Sequence, residues 1–100
     1  MNKEQFLLLK LSEECAEVAQ RCSKQIQFGK YEVQSGQNLT NAERLKNEIV
    51  DFMSIVTLLQ DAGEIPELGP AGPAFIEKKQ KLQKYLKLSA SLGTLPEIEL

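Results

Sequence analysis

The chain has no histidine and only two cysteines among its 100 residues, and the cysteines do not form a CxxC pair. A structural zinc site, built from closely spaced thiolates and imidazoles, is therefore excluded. Cys15 and Cys22 stand seven residues apart, about 10 Å along a helix, which is farther than an intramolecular disulfide tolerates. They read as small buried hydrophobes of a reducing compartment, so the expected setting is the cytoplasm. Long apolar runs are missing too: none approaches the ~20 residues that span a bilayer, and no membrane partner is expected. The apolar stretch within MNKEQFLLLKLSEE is too short and too interrupted for a signal peptide. An excess of positive charge is also lacking. Lys and Arg number 12 against 14 Asp and Glu, a net charge of -2, which argues against a nucleic-acid polymer as partner.

What is present describes a globular protein: 42% hydrophobic residues and 26% charged residues set the chain apart from disordered ones. Its length allows one domain, assigned to residues 1–95, with 96–100 as a C-terminal tail. Three helices are predicted. The first runs from about Lys3 to Gln27, with Asn2 as N-cap, Gln5 completing a capping box and Gly29 as stop. A polar stretch from Lys30 to Leu39 follows. Thr40 and Glu43 form a second capping box, opening a helix that runs to about Ala62 and stops at Gly63. The segment Gly63–Pro73, with three prolines and three glycines, reads as a stiff irregular connector. Pro73 suits the first turn of a third helix ending near Ala90, and from Ser91 onward the chain reads as an extended tail.

Long helices with short connections favour antiparallel packing, so the fold class is all-α, a bundle of three main helices. The second helix carries Ile49, Val50, Phe52, Met53, Ile55, Val56, Leu58 and Leu59 around nearly its whole circumference. A helix apolar all round must be buried all round. One chain of this size cannot cover it, so a homodimer or homotetramer is expected, completing a four-helix-type core.

Stepping 100° per residue along the first helix puts Leu7, Leu8, Leu11, Cys15, Val18, Ala19, Cys22 and Ile26 on one arc, the expected core face. Lys10, Glu13, Glu14, Glu17, Arg21 and Lys24 share the neighbouring arc, with Glu14 at its edge. Taken alone, this helix shows an ordinary solvated polar face. The second helix does not. Glu48 and Asp51, three apart, point the same way as Ile55, Leu58 and Leu59 and interrupt an apolar surface. Buried carboxylates need compensation. Arg44, one turn before Glu48, can supply one salt bridge, but one arginine does not balance four acids. A divalent cation would, if antiparallel helices bring Glu14 and Glu17 to face Glu48 and Asp51. Four hard oxygen ligands suit Mg²⁺, with Mn²⁺ substituting, and Mg²⁺ commonly completes its shell with substrate phosphates. The bland alternative is a structural salt bridge, or protonated acids in the core. Cations for a phosphate substrate are offered by Arg21 and Lys24, which continue the line of Glu14 and Glu17. Lys79 is a further one, following the stripe Phe75, Leu82 and Leu86 on a locally basic third helix.

Glu13-Glu14-Cys15-Ala16-Glu17 followed by Glu48-Ile49-Val50-Asp51 resembles the EExxE…ExxD signature of the MazG-like all-α NTP pyrophosphatases. Ser23-Lys24 through Phe28-Gly29, Gln37 through Arg44, Lys84-Tyr85-Leu86 and Leu92-Gly93-Thr94-Leu95 extend the likeness to the small phage and bacterial members, over roughly residues 4 to 95. The resemblance implies hydrolysis of a (deoxy)nucleoside triphosphate to the monophosphate and pyrophosphate, in nucleotide-pool housekeeping. Glu14, Glu17, Glu48 and Asp51 would be the metal ligands, and Glu13 would orient or deprotonate the attacking water. Arg21, Lys24 and Lys79 would bind substrate. Some relatives hold the base with aromatic rings and a histidine. This chain has no histidine or tryptophan, and Phe28, Tyr31, Phe52, Phe75 and Tyr85 are the rings able to stack, which leaves base preference open. Two other readings stand beside this one: a non-catalytic helical interaction protein on the same scaffold, and a hydrolase of another phosphorylated metabolite.

Overall fold

The computed structural model describes residues 1–68 and 72–96. Three helices account for most of them, and no strand occurs among the described residues: α1 spans Lys3–Phe28, α2 Asn41–Asp61 and α3 Pro73–Ser91. The fold is all-α.

Local chemistry sets the helix ends. The Asn2 side chain accepts from the Gln5 N–H at 2.8 Å while the Gln5 side chain accepts from the Asn2 N–H at 3.0 Å. Thr40 and Glu43 repeat the exchange at the start of α2, at 3.1 and 3.0 Å. Each box satisfies N–H groups that the first turn leaves without a helical partner. The ends of α2 and α3 share one device. The N–H of Glu64 donates to the Leu59 carbonyl and that of Thr94 to the Ser89 carbonyl, both at 3.0 Å. Gly63 at φ 74° and Gly93 at φ 80° make these reversals, a conformation strained for any residue with a Cβ. The C-terminal segment is therefore a capped turn through Thr94 and not an extended tail from Ser91. Residues 69–71 of the expected connector and 97–100 of the expected tail lie outside the described residues.

The chain divides into two compact units, Met1–Glu67 and Leu68–Leu100. In the first, α1 and α2 pack against each other. They run antiparallel: Glu4 meets Glu64 at one end, Glu14 and Glu17 meet Glu48 in the middle, and Asn41 bonds to Gly29 at the other. The α1 residues turned inward are Leu7, Leu11, Glu14, Val18, Arg21 and Gln25, at alternating spacings of four and three. On α2 the corresponding stripe is Asn41, Leu45, Glu48, Phe52, Ile55 with Val56, and Leu59. Such spacing keeps one seam in contact along two helices. Leu59 at 0% exposed, Leu7 at 6% and Val56 at 7% form the core of the seam.

The expected α1 core face is thus corrected. Leu7, Leu11 and Val18 face α2, but Leu8, Cys15, Ala19, Cys22 and Ile26 lie on the next stripe and are exposed, Ile26 at 86%. Both thiols are free and exposed instead of buried. The reason is geometric: the apolar arc is wider than one seam, and α2 covers only its edge. On α2 likewise, Ile49, Val50, Met53 and Leu58 are exposed.

In the second unit, α3 has no buried residue. Phe75, Leu82 and Leu86, expected as a core stripe, are exposed there, as are all five of its lysines.

Candidate metal centre

Midway along the α1–α2 seam the packing stripe changes from leucine to glutamate. Glu14 replaces an apolar residue on α1 and Glu48 replaces one on α2, and both side chains are half-buried. Glu17, one helical turn beyond Glu14, is exposed and leans over the same spot. One carboxylate oxygen from each of the three lies within 4.8 Å of the others. Glu14 Oε2 and Glu48 Oε2 are shut off from solvent and have no hydrogen-bond partner.

This crowding raises the affinity of the acids for protons. Glu48 is pushed up to about 7, first by hydrogen bonding with Glu17, then by burial and by the charges of Glu17 and Glu14. Glu14 is raised by loss of hydration and next by the charge of Glu17, with a smaller push from Asp51. Within the first unit, no lysine or arginine among the described residues pairs with any of these carboxylates. The ion pair present there joins Lys10 to Glu13 at 3.2 Å. Arg44, expected to bridge to Glu48, instead donates from Nη1 to Gln34 Oε1 at 2.9 Å. The connecting loop brings this acceptor within reach and turns the guanidinium away from the acids. A salt bridge from Arg44 to the cluster is therefore not formed.

Of the four acids expected to act together, Glu14, Glu17 and Glu48 converge. Asp51 stands one turn along α2, exposed and outside the trio, yet close enough for its charge to reach Glu14. Glu13 is exposed and held by Lys10. Arg21 is only 8% exposed, and its Nη1 lacks a partner, as does the buried Oε1 of Gln25 one turn further on. Lys24 is half-buried with its ammonium 5.6 Å from the Phe28 ring centroid. Lys79 lies on α3 in the second unit and is exposed.

The loop end of the hairpin holds residues that the sequence reading passed over. Asn41, 2% exposed, donates from Nδ2 to the Gly29 carbonyl and to Glu32 Oε1, both at 2.8 Å. Its backbone N–H donates to the Glu32 carbonyl at 3.0 Å, and that of Ala42 to Lys30 at 3.1 Å. One side chain thus clasps the end of α1 and the loop to the start of α2. An asparagine just after an N-cap is the only sequence signal of this role.

Comparison with family models, curated proteins and solved structures finds no match to the chain. The donor set must speak for itself. It is all carboxylate, with two buried oxygens lacking any proton donor, and this chemistry fits a hard divalent cation.

Proposed function

We propose that the α1–α2 hairpin is a divalent-cation-dependent hydrolase that splits a (deoxy)nucleoside triphosphate into monophosphate and pyrophosphate, as the MazG-like signature implies. The observation that carries this reading is the convergence of Glu14, Glu17 and Glu48 oxygens within 4.8 Å with no basic side chain among them. Bringing like charges together in a half-buried seam costs stability, and such a cost is typical of a functional site. Mg²⁺, with Mn²⁺ substituting, would neutralise phosphate charge there and make bound water more acidic.

Glu14, Glu17 and Glu48 are assigned as the ligands, with Asp51 joining from the exposed side of α2. Glu13 sits on the solvent side of Glu17, where its carboxylate can orient the attacking water and take its proton. Lys10, bonded to Glu13 at 3.2 Å, fixes that carboxylate's position. Arg21 and Lys24, one and two turns beyond Glu17 on α1, place positive charge where the phosphates would lie. Lys79 is left out of this assignment, which is confined to the hairpin. Self-association belongs to the same proposal: the exposed stripe of Leu8, Ile26, Ile49, Val50 and Met53 is supportive, since two hairpins joined through it would form a four-helix core.

The same exposed stripe favours one second reading, a non-catalytic helical interaction protein. Pyrophosphate release from a panel of NTPs and dNTPs, with Mg²⁺ or with EDTA, separates the two. Metal-dependent release is expected. No release from any nucleotide by the folded protein, with Mn²⁺ also tried, would leave the interaction protein.

A further inference from the structure

Arg44 stands one helical turn before Glu48 on α2, a spacing at which arginine and glutamate form ion pairs along a helix. The attraction here exceeds that of an isolated pair, because Glu14 and Glu17 bring two more carboxylates to the same spot. Arg44 nevertheless donates from Nη1 to the neutral Gln34 Oε1 at 2.9 Å, and Glu48 Oε2 stays buried without a partner. Helical spacing does not account for that choice. The loop does.

Gln34 is tied down on both sides. Glu32, two residues before it, is fastened to the start of α2 twice: the Asn41 backbone N–H donates to its carbonyl at 3.0 Å, and Asn41 Nδ2 donates to its Oε1 at 2.8 Å. Beyond it, the N–H of Gln37 donates to the Gln34 carbonyl at 2.9 Å and closes a turn. The Gln34 acceptor is thus presented at a set place beside the first turns of α2, where Arg44 stands.

We infer that Gln34 is a positioning residue for the cation site: by holding the Arg44 guanidinium, it keeps that side chain from neutralising Glu48 and leaves the acids to a divalent cation. The inference rests on the cation reading above and adds to it a loop residue that touches no ligand itself. A guanidinium and a divalent cation compete for the same carboxylate oxygens. Apparent metal affinity falls in proportion to the share of molecules in which Arg44 occupies them. The loop that joins the two helices therefore also sets how open the acids are to metal.

Two measurements on the whole chain test this. In the first, Mn²⁺ is titrated into the protein and the free ion is followed by electron paramagnetic resonance. Gln34→Ala is expected to weaken binding about tenfold, as it would if Arg44 paired with the acids in about nine molecules of ten. Gln34→Glu, which keeps an acceptor for Arg44, should bind as the parent does. Adding Arg44→Gln to Gln34→Ala should restore the parent affinity, since the guanidinium that competes is then gone. Unchanged binding in Q34A, or the same loss in the double variant, would overturn the inference and leave the cation site standing.

The second measurement needs no metal. Urea melts in EDTA at about pH 8, where Glu48 is ionised, give the coupling between Arg44 and Glu48 from R44Q, E48Q and the two together. No coupling is expected in the parent, and a favourable one in the Q34A background, about fivefold in the unfolding equilibrium. Coupling already present in the parent, or absent from Q34A, would overturn the inference. If the parent binds no Mn²⁺ the cation reading fails, and coupling that appears only in Q34A would still support Gln34 as the residue that holds Arg44 off the acids.

Discussion

The two halves of the α1–α2 seam differ in what they are built to do. Near the chain start, Leu7, Val56 and Leu59 are all but inaccessible, and their burial accounts for the cohesion of the hairpin. From Glu14 toward the loop the same stripe carries Glu14, Glu48, Arg21 and Gln25, each with a buried polar atom that lacks a partner. The helical geometry is continuous across both halves. Only the side chains change, from groups that gain by leaving water to groups that lose by it. One half holds the helices together, and the other uses that hold to keep like charges close.

Substitutions at the two ends should therefore have opposite consequences. The largest effect on stability is expected for Leu59→Ala, because Leu59 is 0% exposed. A loss of about 3 kcal/mol, read from urea melts followed by circular dichroism, would fit a buried leucine in a small core. A loss under about 1 kcal/mol would mean that the apolar half is not what holds the hairpin.

Glu48→Gln should do the reverse, abolishing metal-dependent pyrophosphate release without unfolding the protein. It also tests the charge crowding directly. A carboxyl whose folded pKa is raised from 4.5 to about 7 keeps its proton in the folded state after the unfolded chain has lost it. Stability in EDTA should then be highest below about pH 4.5, fall as the pH rises toward 7, and stay low above that. In E48Q this fall should be reduced and the melting temperature at pH 8 raised. A melting temperature that climbs from pH 5 to 8 in the parent protein would contradict the arrangement of acids. The smallest effect is expected for Thr40→Ala, which removes the oxygen that accepts from Glu43 at the start of α2. It should cost about 1 kcal/mol in the same melts and leave activity unaffected.

How far the sequence was readable follows from how local each feature is. The helix boundaries could be read because Asn2 with Gln5, Thr40 with Glu43, Gly63 and Pro73 act within a few residues of where they stand. The grouping of Glu14 and Glu17 opposite Glu48 could also be read, since helical spacing and antiparallel packing suffice to bring them together. Two neighbouring apolar stripes on α1 defeated the choice of packing face. Leu7 and Leu8, or Val18 and Ala19, are equally apolar, and only the partner helix decides between them. Arg21 was misplaced on a solvent arc for the same reason. Glu32, Gln34 and Asn41 gave almost no signal, because their roles depend on contacts 9 to 12 residues away within a polar loop.

The four-and-three spacing of the seam also constrains chain length. Each residue added to or removed from α1 turns everything beyond it by 100°. Deleting one residue between Leu11 and Glu14 would swing Glu14 and Arg21 out of the seam while Leu7 stayed in it. Exposed side chains of α1 outside the proposed site, such as Ser12, Ala16 and Gln20, are free to vary, but the residue count is not. A scan of single-residue deletions should therefore show a sharp intolerance between Leu7 and Gln25 that a substitution scan of the same outer positions would miss.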